Sequence, residues 1–113
     1  MLRGIMGTES METQTSFGAL LRFAIANKRL IRFVYNSKLR IAEPHDYGVK
    51  TGVPKLLAYQ VSGQSTSVVR GWKLLDISKI EDLVVLERTF GGTRVKPDQH
   101  HLQWDEVFVR VGG

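Results

Sequence analysis

Ile31-Arg32-Phe33-Val34-Tyr35-Asn36-Ser37-Lys38-Leu39-Arg40-Ile41-Ala42-Glu43-Pro44 is the stretch on which the fold reading turns. Ile31, Phe33 and Tyr35 alternate with Arg32 and Val34, which is the period of a strand. Asn36-Ser37-Lys38 has turn chemistry, because short polar side chains hydrogen-bond to their own backbone and Asn tolerates left-handed dihedrals. Leu39 to Glu43 then predicts a returning strand that stops at Pro44, which has no N–H to give to a ladder.

Upstream of this hairpin the period is helical. Phe17, Leu20, Leu21, Ala24 and Ile25 fall on one helix face, with Thr15 or Ser16 placed to cap it and Lys28 and Arg29 at the end where the macrodipole favours cations. Downstream, Lys55 to Val61 predicts a strand, Ser62-Gly63-Gln64-Ser65 a turn, and Val68 to Leu75 a return. Asp76 to Lys79 breaks the alternation, Leu83 to Phe90 is a further strand, and Gly91-Gly92 ends it. Trp104, Val107, Val109 and Val111 predict a short sixth strand or a docking tail. One helix followed by short strands, with turns roughly every eight to twelve residues, predicts a mostly β fold. The expected form is a small barrel of about five strands preceded by one N-terminal α-helix, since closure hides the edges of so small a sheet. The predicted organisation is a flexible leader over residues 1–15, a barrel domain over 16–90, and a C-terminal extension over 91–113 that packs on the barrel or on a partner.

The 113 residues suit one domain, and 42% hydrophobic with 24% charged residues argues against disorder along the whole length. There is no cysteine, so disulfides and thiolate metal sites are excluded. No apolar run approaches the ~20 residues that span a bilayer, and a cytoplasmic location is expected. Net charge is +5, unevenly spread. Phe17 to Leu75 holds ten basic residues against Glu43 and Asp46, a net +8, while the remainder is −3. Such asymmetry predicts a surface that faces anions.

Taken in order, these segments resemble the WYL domain, a bacterial module with an Sm-like or SH3-like barrel behind a helix. Leu20-Leu21-Arg22-Phe23-Ala24-Ile25 leading to Ile31-Arg32-Phe33-Val34-Tyr35 resembles the family's opening helix and I-x-F-x-Y strand. Arg40 and Pro44 match R-x-x-x-P, Leu56-Leu57-Ala58-Tyr59 the end of the naming segment, and Arg70, Trp72 and Lys73 the R-x-F-R strand. Lys79-Ile80-Glu81-Asp82-Leu83-Val84-Val85-Leu86 with Phe90 matches the closing strand. Pro54 and Lys55 replace the eponymous Trp and Tyr, leaving Leu56 of that tripeptide. The resemblance implies a ligand-sensing or nucleic-acid-binding role, in a family that commonly follows a DNA-binding helix-turn-helix in transcription regulators. The residues before Phe17 are too few and too polar to supply such a motif, so the chain resembles the sensor part alone.

The expected ligand-binding residues are Arg40, His45, Tyr47, Tyr59, Arg70, Trp72 and Lys73. Arginine offers a planar fork of donors that matches phosphate or carboxylate, and lysine adds a mobile charge. Tyr47, Tyr59 and Trp72 offer faces on which bases stack, and strand parity places Trp72 with Arg70. His45 and Gln60 are further polar contacts. The expected partner is an anion, either a nucleotide or a single-stranded nucleic acid. The alternative is an assembly module that oligomerises or docks onto a separate regulator. A third reading, a small-barrel nuclease, rests on Glu43, His45 and Asp46. No phosphate-cradling Gly loop, nucleophile elbow or metal triplet occurs, and His100-His101 reads as a polar loop. The chain is accordingly expected to be no enzyme and to need no cofactor or metal.

Overall fold

The computed structural model describes residues 17–64, 70–94 and 103–112. The leader, the capping Thr15 and Ser16, the start of the strand expected from Val68, and His100-His101 lie outside the described residues. Helix α1 (17–26) leads into β1 (Arg29–Tyr35), β2 (Lys38–Lys50), β3 (Val53–Gly63) and β4 (Gly71–Asp76). A 3-10 turn at Ile77–Lys79 connects to β5 (Glu81–Thr89), and β6 (Glu106–Arg110) follows. The six strands form one antiparallel sheet in the order β4-β3-β2-β1-β5, with β6 paired to β2. The protein is mostly β behind a helix, and its curled sheet has the form of a small barrel. Tyr35 Oη accepts the Asp76 backbone N–H at 3.1 Å, tying the end of β1 to the end of β4.

The first hairpin closes as its turn residues require. Asn36 and Ser37 both take positive φ, 53° and 62°, the backbone of a two-residue turn that matches strand twist. The returning strand does not stop at Pro44, however. β2 continues to Lys50 and turns into β3 through Thr51 and Gly52, with φ of 52° and 74°. Proline is tolerated because the register to β3 shifts between Pro44 and Asp46, a β-bulge at which the ladder is already interrupted. The bulge also divides the other edge of β2. Residues up to Ala42 pair with β1, and residues from Asp46 onward pair with β6.

The core lies on the inner face of the sheet and under the helix. Leu21, Ala24 and Ile25 of α1 are fully buried against Ile31, Phe33, Ala42, Leu56, Ala58 and Leu75. Each large side chain of this set contributes about 1.5–3 kcal/mol by leaving water. The buried helix face is the predicted one at Phe17, Leu21, Ala24 and Ile25 and differs at one position. Leu20 is exposed, and Gly18 takes its place at the interface, where an added Cβ would stand 3.2 Å from Tyr47 Oη.

β6 lies so close to β2 that a Cβ at Gly48 would stand 2.1 Å from the Glu106 carbonyl oxygen and 3.0 Å from Val107 Cα. Gly48→Ala is therefore expected to loosen β6 and to cost about 1–3 kcal/mol of stability. The measurement is a urea midpoint together with amide exchange at Val107 and Val109. An unchanged midpoint with unchanged exchange would show that the close approach stabilises nothing.

Candidate functional site

The expected site residues divide between the two faces of the sheet. In an antiparallel pair, residues in register project to the same side. Tyr59 pairs with Trp72 and Ala58 with Lys73, so Trp72 and Lys73 stand on opposite faces of β4. Ala58 is fully buried in the core, which marks its face as the inner one.

On the outer face, the bulge in β2 brings His45 against Trp72, edge-on at 4.8 Å between ring centroids, and Trp72 stands edge-on to Tyr59 at 5.3 Å. Phe90 stacks on the other side of His45 at 5.7 Å. The stretch after β5 closes over this cluster. The Arg94 guanidinium lies 4.0 Å above the Tyr59 ring and holds the Glu43 carboxylate through Nε and Nη2. The Arg94 backbone N–H donates to His45 Nε2 at 3.1 Å, and His45 Nδ1 sits 2.9 Å from the Glu43 carbonyl oxygen. Nε2 must accept, so Nδ1 carries the proton and the ring is neutral. Burial pushes the His45 pKa below its ordinary value, while the backbone bond to Glu43 and the Glu43 and Asp46 carboxylates pull the other way. Asp46 is buried and held by Arg110 at 3.1 and 3.2 Å. Glu43, His45 and Asp46, the group from which a nuclease was drawn, are thus each engaged by the C-terminal part of the chain. Among the described residues no group of three or more His, Cys, Asp or Glu is arranged to hold a metal ion.

On the inner face, Arg40 is buried at 5% exposure. Alternation along a strand left open whether it faced water or a polar hollow; it points inward, where it shares a face with Phe33. Its guanidinium lies 5.3 Å from the Tyr35 ring centroid and donates over long distances, 3.5 Å to Gln60 Oε1 and 3.3 Å to the Tyr35 carbonyl. Its Nε is buried with no hydrogen-bond partner among the described residues. Gln60 is fully buried, and its Nε2 is spent on the Ser62 and Gln64 carbonyls. Lys38, opposite Tyr35 in register, stands two residues before Arg40 on the same face. Lys73 belongs to this face from the β4 side, and Gly71, opposite Gln60, leaves open space where an added Cβ would meet nothing within 4 Å.

The structure therefore brings together His45, Tyr59 and Trp72, and separately places Arg40 and Lys73 on the inner face. It unites neither group with Tyr47 or Arg70. Tyr47 packs against Phe108 at 5.0 Å, with Arg22 over its ring at 5.9 Å. Arg70 is exposed in a bend outside β4, because Gly71 at φ 144° interrupts the alternation that would set it beside Trp72. Lys38 was visible to sequence reasoning as the residue two before Arg40. Arg94, remote in sequence from every partner it has, carried no signal.

Comparison with protein-family models, with curated proteins and with solved structures finds no match.

The depressed His45 pKa carries a sign. The unfolded chain takes up its proton first as pH falls below about 6.5, so stability is lost from there down to the lower folded value. A thermal midpoint measured from pH 7.5 to 5 should fall, and His45→Gln should flatten that slope whatever its own baseline. Parallel profiles for the two proteins would mean that His45 titrates freely in the folded state.

Proposed function

We propose that this protein is a ligand-sensing module that binds an anion at the inner mouth of its barrel, with Arg40 as the anchoring cation. The observation that carries the reading is the contrast between Arg40 and three cations that each meet a carboxylate. Arg94 meets Glu43, Arg110 meets Asp46, and Lys55 meets Asp76 at 2.7 Å. Arg40, the most deeply buried of them, has no carboxylate partner among the described residues and keeps an unpartnered Nε. A buried charge without a counter-charge costs several kcal/mol unless polar contacts offset it. The Tyr35 ring and two long hydrogen bonds to neutral oxygens offset that cost only in part. An anion supplies what is missing, and Lys38, two residues away on the same face of β2, adds attraction. The resemblance to the WYL domain supports the same reading, because Arg40 and Lys73 fall in its motifs.

A ligand that binds only the folded state stabilises it by RT ln(1 + [L]/Kd), about 2.7 kcal/mol at a hundredfold excess over Kd. Inorganic phosphate, adenosine monophosphate and a short oligothymidylate should therefore be screened by thermal shift at low and high salt. Arg40→Gln, which keeps a polar side chain of smaller size and removes the charge, is expected to hold or raise the midpoint in anion-free buffer and to abolish the ligand-induced rise. A large fall in the basal midpoint with the rise intact would make Arg40 a structural residue and end this reading.

A second reading, an assembly module, is favoured by one feature. Trp72 and Leu74 are 41% and 38% exposed on the outer face of β4, which ends the sheet. Concentration-dependent elution of the wild type that Trp72→Ser abolishes would support it; a monomer at every concentration would not.

A further inference from the structure

We infer that the inner mouth takes the terminal phosphate of a phosphate monoester, entering end-on, in preference to the internal diesters of a nucleic-acid strand. The inference rests on the anion-binding reading above and narrows it.

Depth is the first reason. Arg40 is 5% exposed, so the group that reaches it must project ahead of the rest of its molecule. A terminal phosphate does so, with three oxygens free. An internal diester is flanked by a sugar on each side, and both would have to follow it into the mouth.

Charge is the second. The second ionisation of a phosphate monoester lies near pH 6, so at neutral pH it approaches a dianion. It would meet a guanidinium fork, which suits two oxygens at once, with Lys38 on the same face. The bond it must displace is weak, since Arg40 Nη2 reaches the Tyr35 carbonyl at 3.3 Å. Gln60 is a positioning residue here. Its amide nitrogen is anchored by two carbonyls, so its oxygen holds the guanidinium in place without competing for the anion.

The third reason is the sheet itself. Proteins that bind strands without sequence preference combine cations with aromatic rings along one groove. Tyr59 and Trp72 lie on the opposite face from Arg40, so a strand laid over those rings has β3 and β4 between its phosphates and this guanidinium.

The test compares TpT, whose only phosphate is an internal diester, with pTpT, which adds a terminal one, and with inorganic phosphate, by calorimetry on the wild type and Arg40→Gln. The expected result is that inorganic phosphate and pTpT bind, that TpT binds at least about tenfold more weakly, and that Arg40→Gln loses at least about tenfold for pTpT. Equal binding of TpT and pTpT, both weakened by Arg40→Gln, would overturn the terminal-phosphate inference while leaving the anion site standing. Binding of pTpT that ignores Arg40→Gln would place its phosphate elsewhere and overturn it too. If none of the three binds the wild type, the anion-binding reading falls with it.

Discussion

Strand β2 is hydrogen-bonded to β1, β3 and β6, and this shared pairing decides where the rest of the molecule lies. One edge of β2 runs along β3 for nearly its whole length. The other edge is handed from β1 to β6 across the bulge at Pro44–Asp46. A bulge bends its strand and increases the local twist, which lets one long strand serve both halves of a curled sheet. The same bend turns His45 toward Trp72 and brings the C-terminal part of the chain over Glu43 and Asp46. Fold and outer cluster thus have one cause.

The electrostatics follow from that geometry. Glu43 and Asp46 are buried because the segment around Arg94 and strand β6 cover them, and each is matched by the arginine of the element that covers it. Removing one partner of such a pair strands a charge in a low-dielectric place, which is why matched pairs persist once formed. Arg40 breaks this rule on the opposite face. It sits where a curled sheet needs a side chain long enough to fill the end of its interior, with Tyr35 as a platform and Gln60 as a stay. The sheet separates an aromatic outer cluster, where Arg94 meets Glu43, from an inner face where Arg40 has no carboxylate partner among the described residues.

Much of the fold was legible in the residues. Alternation in Ile31–Tyr35, Lys55–Val61 and Leu83–Phe90 marked β1, β3 and β5, and the apolar residues after Trp104 marked β6. The second half of β2 was not legible, because Pro44-His45-Asp46 has the composition of a break and becomes strand only when β6 pairs beyond it. The helix and its face were placed correctly except at one position, since Gly18 carries no hydrophobic signal and Leu20 carries a false one. The candidate site was legible only in pieces. Parity within β4 already separated Trp72 from Lys73, but parity is local: it cannot tell which face curls inward. That needs the pairing of strands far apart in the chain, as does Arg94, which meets Glu43 across 51 positions.

The late pairing of β6 has a consequence for how the chain comes off the ribosome. β1, β2 and β3 are joined by two-residue turns and can zip together as soon as they emerge. The distal half of β2 must then wait, because its partner is encoded some sixty positions later: Asp46 pairs with Arg110. During synthesis that stretch is a bare strand edge carrying an acidic side chain, Asp46, whose ion-pair partner Arg110 is still untranslated. Bare edges recruit other strands unless charge keeps them apart. Until translation reaches Arg110, the Asp46 carboxylate puts charge on that edge and sets it against a neighbouring nascent chain, and afterwards the same carboxylate fastens the final strand.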